Sequence, residues 1–383
     1  MLMIPRGLGP LLAKSKRSLL LLGPRQTGKS TLIQSLKPEL TINLAHEPTY
    51  LEFSRNPREL EERLAARPYR TVFVDEVQRL PSLLNTLQAI LDEQGQQMKF
   101  YMTGSSARKL KRGGANLLPG RIHTYLLGPL TAREMGYKMK TQEALSTGTL
   151  PGIWTEPHRQ EKEKVLRSYA AVYLKEEIQA EALTRAVEGF SRFLFVAAAE
   201  AGKFLDLSKL ASQAAIPRQS AVRYFEILED TLLVRRSEPF SRSERRRLIQ
   251  SPRFFFFDTG VLNGLLENFS PSPDRIGMLF EHLVFNQIVH SAAAQDMPVR
   301  LASYRTEHGA EVDFILEWKG EVWAVEVKAS SQIRTSDLRG LASFADYYKK
   351  RHRPVVVYLG SALKRVGKID VFPWLDFLKE ASL

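Results

Sequence analysis

The chain has 383 residues, 44% hydrophobic and 25% charged, a composition that argues against a disordered or membrane-embedded protein and leaves room for two or three soluble domains of roughly 100 to 150 residues. It contains no cysteine, which excludes disulfides, thiolate zinc sites and cysteine nucleophiles. Its 55 Lys and Arg against 42 Asp and Glu give a net charge of +13, a balance that attracts polyanions, with nucleic acid the first partner to consider. The early apolar run at 19–22 is too short for a leader or a membrane span. The protein is therefore expected to be cytoplasmic, with no membrane partner.

In chain order, residues 18–22 read as a buried strand, followed by a Gly-rich turn and a helix from 29 to 36 that Lys37-Pro38 ends. Further strands are expected at 71–74 and 99–103, with an amphipathic helix at 82–94 between them. Strands alternating with helices predict an α/β parallel sheet. From 161 to 204 the sequence is charged and helix-rich. The order helix (206–215), helix (217–230), strand (232–240) then suggests a winged helix-turn-helix. After Asp258-Thr259-Gly260, a helix at 277–290 precedes strands at 311–317 and 321–327, joined by a Lys319-Gly320 turn. There is no internal repeat.

Gly23-Pro24-Arg25-Gln26-Thr27-Gly28-Lys29-Ser30 fits G-x-x-x-x-G-K-[ST] at every fixed position, between a predicted strand and a predicted helix. Such a loop closes backbone N–H groups around phosphate oxygens. Lys29 then reaches the β and γ phosphates, and Ser30 ligates magnesium. The strand at 71–74 ends in Asp75-Glu76, placing Asp75 in the magnesium shell and Glu76 where it polarises an attacking water. At the tip of the next strand Ser105 is a candidate to sense the γ phosphate or position water. Arg121 is a candidate trans-acting arginine finger if subunits form a ring, and a plain surface arginine otherwise.

Gly23-Pro24-Arg25-Gln26-Thr27-Gly28-Lys29-Ser30-Thr31, Val74-Asp75-Glu76-Val77-Gln78, Thr103-Gly104-Ser105-Ser106 and Gly128-Pro129-Leu130-Thr131-Ala132-Arg133-Glu134 together resemble prokaryotic AAA-type ATPases related to the archaeal ATPases. These carry a C-terminal domain once listed as of unknown function. The resemblance covers nearly the whole chain. It implies an AAA+ fold, ATP with magnesium bound along residues Gly23 to Thr31, and a homo-oligomer, with a hexameric ring as one form.

In the last third, Asp313 lies in one predicted strand and Glu326 and Lys328 in the next. Period-two alternation sets Asp313 opposite Val312, Phe314 and Leu316, and sets Glu326 and Lys328 opposite Val325 and Val327, so the three can converge. Two carboxylates holding a divalent ion, with a lysine beside the nucleophile, are what metal-dependent phosphodiester hydrolysis requires. Glu281 on the preceding helix can add a third carboxylate. The set looks like the PD-(D/E)XK restriction-endonuclease superfamily, with magnesium or manganese as the metal, although Val312 stands where that pattern has a proline. A nuclease fold kept only as a DNA-binding platform, or an ordinary charged strand pair, fits the same residues.

Between Arg235 and Arg253 there are seven arginines and two acids. The run includes Arg242, Arg245, Arg246 and Arg247 and falls where a wing would follow a recognition helix carrying Arg218 and Arg223. Arg108, Lys109, Lys111 and Arg112 form a second basic cluster. Solvated loops or subunit packing remain alternatives for each.

The expected architecture is α/β throughout. An AAA+ P-loop parallel-sheet domain spans 1–160, a central helical and winged-helix domain 161–257, and a restriction-endonuclease-like α/β domain 258–383. The expected function is an ATPase acting on DNA, branched forms included, by remodelling or metal-dependent cleavage. The alternatives are a translocase whose nuclease-fold domain does not cut, and a nucleotide-dependent signalling or defence switch.

Overall fold

The structure, a computed structural model, describes residues 4–94, 97–105, 121–173, 187–240, 248 and 251–383. Its first half is built on β1 (Ser18–Leu22), β2 (Leu40–Asn43), β3 (Thr71–Asp75), β4 (Lys99–Gly104) and β5 (Ile122–Leu126), in the order β2-β3-β4-β1-β5. All four pairings are parallel. Parallel strands need crossovers that lay helices on the sheet, so both faces need apolar residues. The buried run of β1 supplies them: Leu20 and Leu22 join one core with Val72, Val74, Phe100 and Met102. Leu19 and Leu21 join the opposite core with Phe73 and Tyr101. The helix α1 (Gly9–Lys14) precedes the sheet, and α2 (Lys29–Gln34), α3 (Glu47–Arg55), α4 (Glu59–Ala65) and α5 (Leu83–Gln94) lie in the connections between β1 and β4.

Short helices α6 (Thr141–Thr147), α7 (Pro151–Thr155), α8 (Arg159–Ser168) and α9 (Val187–Ala199) follow. Then come α10 (Leu207–Gln213) and α11 (Arg218–Asp230), packed on one another. Asp206 caps α10 by accepting from the amides of Ser208 and Lys209, both at 3.0 Å.

An eight-stranded sheet forms the rest, in the order β12-β13-β11-β10-β9-β8-β6-β7. Its members are β6 (Val234–Pro239), β7 (Arg253–Phe256), β8 (Arg300–Arg305), β9 (Glu311–Trp318), β10 (Glu321–Lys328), β11 (Arg353–Tyr358), β12 (Lys364–Val366) and β13 (Ile369–Pro373). The strands that follow α10 and α11 thus continue the C-terminal sheet, β6 pairing with β7 on one side and β8 on the other. One core runs from Ala132 through the middle helices to Leu383. It wraps α12 (Thr259–Leu265) and the 19-residue α13 (Ile276–Ala294), which is buried along most of its length. The opposite face of the sheet is covered by α14 (Arg339–Tyr348), and α15 (Trp374–Glu380) closes the chain.

Candidate functional site

The loop between β1 and α2 is shaped by two glycines with different tasks. A Cβ on Gly23 would lie 2.1 Å from the Leu127 carbonyl oxygen, so only glycine lets the loop pass the end of β5. Gly28 adopts φ +88°, the left-handed region that glycine enters freely. Thr27 ties the loop to itself, its hydroxyl donating to the Pro24 carbonyl at 2.9 Å. Lys29 is buried and donates to the carbonyls of Gly23 (2.8 Å) and Pro24 (2.9 Å). Arg25 is half-buried, and Gln26 and Thr31 are exposed.

Parallel pairing of β1 with β4, and of β4 with β3, brings the acidic strand end beside this loop. Ser30 Oγ donates to Asp75 Oδ1 at 2.8 Å, and Thr103 on β4 donates to the same oxygen. Two hard oxygen donors on adjacent elements suit a magnesium ion. Glu76 follows in a left-handed conformation (φ +58°), its amide donating to Thr103 Oγ1 at 3.1 Å. Its carboxylate is engaged by the Gln78 amide, which also donates to Ser105 Oγ at 3.0 Å. Sequence reading placed Ser105 here but gave no role to Thr103 or Gln78. Their sequence signal is membership of the Val74-Asp75-Glu76-Val77-Gln78 and Thr103-Gly104-Ser105-Ser106 motifs, with Thr103 also near a strand tip.

A further participant carried no motif. Arg6, just before α1, donates to the carbonyls of Thr27 (2.5 Å), Gly128 (2.7 Å) and Pro129 (3.2 Å), and to Glu134 (3.0 Å). Arg121, at the start of β5, is partly exposed and forks onto Asp92 of α5, which raises its pKa through hydrogen bonding and charge.

Of the basic residues, Arg218 and Arg223 are exposed on α11, the second helix of the pair, and Arg218 Nε donates to Ser208 Oγ at 3.1 Å. Arg242, Arg245, Arg246 and Arg247, and Arg108, Lys109, Lys111 and Arg112, lie outside the described residues. Arg253, counted from sequence in the basic run of the wing, is instead buried. Burial follows from its place in β7, whose four residues are all interior.

The C-terminal set does converge, but around that arginine. The Arg253 guanidinium pairs with Glu281, lies 3.4 Å from Asp313 Oδ1 and 3.9 Å from Glu311, and donates to the Gly202 carbonyl at 2.6 Å. Lys328 pairs with Glu326 at 2.7 Å. Burial, with repulsion from Asp313 next, pushes the carboxyls of Glu281 and Glu326 well above the usual range. Asp313 Oδ2 accepts the amide of Val327 at 2.8 Å. The strict alternation expected along this strand fails beside Asp313. Between Ala302 and Tyr304 of β8 the pairing moves from Ile315 to Val312, so β9 carries one extra residue. Val312 consequently packs with Ile315 on one face, while Phe314 and Leu316 pack on the other. A bulge of this kind re-aims the side chain within it.

These donors do not fit a divalent ion in this arrangement. A guanidinium already supplies positive charge between Glu281 and Asp313, and Asp313 spends an oxygen on a backbone amide. Among the described residues no group of three His, Asp or Glu is disposed to hold a metal.

Residues 15–136 match a family model described as an AAA domain, a span that contains the loop, Asp75, Glu76 and Ser105. The N-terminal unit is thus similar to AAA domains. Downstream of the AAA domain, residues 139–272 match a domain of unknown function (DUF8612) and residues 276–377 another (DUF4143). Two uncharacterised proteins, from Mycobacterium bovis and Mycobacterium tuberculosis, are each 27% identical over 372 residues, covering 92% of this chain and 82% of theirs. Among solved structures, the replication initiator DnaA bound to AMPPCP and single-stranded DNA is 10% identical, with a TM-score of 0.29 over 58% of this chain and 85% of that one. A STAND protein with a tetratricopeptide-repeat sensor from Pyrococcus horikoshii is 12% identical, with a TM-score of 0.26 over 75% of this chain and 46% of that one. The Pif1 helicase of Candida albicans is 15% identical, with a TM-score of 0.24 over 44% of this chain and 48% of that one. These are remote likenesses. No helix among the described residues is long and apolar enough to cross a membrane.

Proposed function

We propose that this chain is a magnesium-dependent ATPase that acts on DNA, with a C-terminal domain that engages DNA without cutting it. The observation that carries the ATPase reading is the joining of Lys29, Ser30, Asp75 and Glu76 at one end of the parallel sheet. On nucleotide binding Lys29 exchanges the carbonyls of Gly23 and Pro24 for phosphate oxygens. Ser30 and Asp75 hold magnesium, which when bound neutralises charge on the phosphates. Glu76 accepts the proton of the attacking water, with Ser105 beside it.

What supports DNA as the partner is the net charge of +13 and the exposure of Arg218 and Arg223 on the second helix of a helix-turn-helix pair. Arg242, Arg245, Arg246, Arg247, Arg108, Lys109, Lys111 and Arg112, outside the described residues, add positive charge by sequence alone. What supports a non-cutting domain is the guanidinium among its carboxylates. Assembly as a homo-oligomer, a hexameric ring included, would free Arg121 from Asp92 to act on a neighbour's nucleotide.

Single-stranded, duplex and branched DNA incubated with ATP and magnesium or manganese test the proposal. Turnover stimulated by DNA, absent in Lys29→Ala, and no strand cleavage by either protein are expected. Wild-type turnover in Lys29→Ala would sink the site assignment, and metal-dependent cleavage lost in Asp313→Ala would sink the non-cutting reading. A second reading, a slow nucleotide-dependent switch, is favoured by the hold of Gln78 on Glu76. It predicts faster turnover in Gln78→Ala and no salt-sensitive DNA affinity.

A further inference from the structure

We propose that Arg6 is the positioning residue of the phosphate loop, its guanidinium fixing the Thr27–Gly28 peptide so that the Gly28 amide faces a bound phosphate. The proposal rests on the nucleotide reading of that loop. Arg6 and Glu134 are both nearly enclosed, with side chains 7% and 3% exposed. Glu134 is itself held in place: Oε1 accepts the Gly7 amide at 2.7 Å as well as Arg6 Nε, and Oε2 accepts the Thr131 amide at 3.0 Å. The fork it orients delivers Nη1 to the Thr27 carbonyl and Nη2 to those of Gly128 and Pro129.

The consequence follows from peptide geometry. A trans peptide is planar, so its C=O and its N–H point in opposite directions. Anchoring the Thr27 oxygen on the outside of the loop therefore turns the Gly28 N–H inward, where an anion collects successive amides. This peptide needs an anchor more than its neighbours do. Gly28 can rotate between left- and right-handed regions at little cost, and no side chain resists a flip. Lys29 performs the same service for the carbonyls of Gly23 and Pro24 while the loop is empty, but it leaves them when it takes up phosphate. Arg6 has no such exchange to make, because its four partners are Glu134 and the carbonyls of Thr27, Gly128 and Pro129. The same fork binds the loop to the 128–134 turn, whose Ala132 amide donates to Gln287 of α13 at 2.7 Å.

Affinity for a fluorescent ATP analogue with magnesium, together with KM and kcat for ATP, tests this in wild type, Lys29→Ala, Arg6→Ala, Arg6→Lys and the double variant Arg6→Ala/Glu134→Ala. The double variant removes the acid that a single change would leave buried and unpaired. Loss of the charged hydrogen bonds in Arg6→Ala should weaken binding and raise KM by about tenfold or more. kcat should change less than KM. Arg6→Lys should recover part of the loss, and millimolar guanidinium should restore affinity to Arg6→Ala but not to Lys29→Ala. Wild-type affinity in Arg6→Ala or in the double variant overturns the proposal, as does a lowered melting temperature with unchanged KM. Equal binding by wild type and Lys29→Ala overturns the nucleotide reading itself, and this inference with it.

Discussion

Arg253 brings one positive charge into a space shared with Glu281, Glu311 and Asp313, and stacks over the rings of Phe255 and Phe314. Removing the charge strands buried carboxylates, so Arg253→Met should lose about 3–5 kcal/mol of stability even though methionine fills much of the same volume. Urea unfolding of the two proteins measures it, and a loss under about 1 kcal/mol would mean that the acids do not depend on the arginine. His282 offers a pH signature in the same region. It is fully buried, Nδ1 meets the Met278 carbonyl at 3.2 Å, Nε2 has no partner among the described residues, and burial pushes its pKa down to about 3. A histidine whose folded pKa is depressed binds its proton only in the unfolded chain. Its contribution to stability is thus present above the ordinary value of 6.5 and is lost as the pH falls from there toward 3. His282→Phe should cancel that share. Relative to the variant, the wild type should lose about 1.4 kcal/mol per pH unit below that point, seen by comparing urea midpoints at neutral and mildly acidic pH.

The elements differ in how far their own residues announced them. The strand, loop and helix around Lys29 were legible because the glycines, the lysine and the flanking apolar run are local requirements of one structure. The two helices α10 and α11 were legible for a similar reason, with Asp206 as a cap and Pro217 immediately before α11. The bulge in β9 was not, because an extra residue in one strand has meaning only against its partner β8. Close packing between elements was equally silent. At the crossing of α6 and α12, a Cβ on Gly260 would lie 2.1 Å from the Thr147 carbonyl oxygen. Gly260→Ala must therefore separate the two helices, at about 1–3 kcal/mol, and a melting temperature equal to wild type would refute this packing.

For the whole molecule, the expected division at 257/258 falls between β7 and α12, while both the eight-stranded sheet and the large core run across it. A fragment of residues 258–383 would expose the edge of β8 that β6 pairs with and leave Glu281 and Asp313 without Arg253. It should fail to give a cooperative unfolding transition, and a sharp calorimetric peak from that fragment would contradict the prediction. The N-terminal sheet unit is joined to this body by hydrogen bonds of Ala132 and Leu130 with Gln287, and just beyond it by Tyr137, whose hydroxyl donates to the Leu383 carbonyl at 2.8 Å. By itself the sequence determined the phosphate loop, its acidic strand end, the parallel sheet and the positive charge, because each depends on spacing within a few residues or on composition. Where the arginines went was settled by contacts far apart in the chain: Arg6 meets a glutamate 128 positions away, and Arg253 an aspartate 60 positions away. An arginine's charge is the same on a solvated wing and in a buried cluster, and which of the two it enters is set by the carboxylates that the fold brings to it.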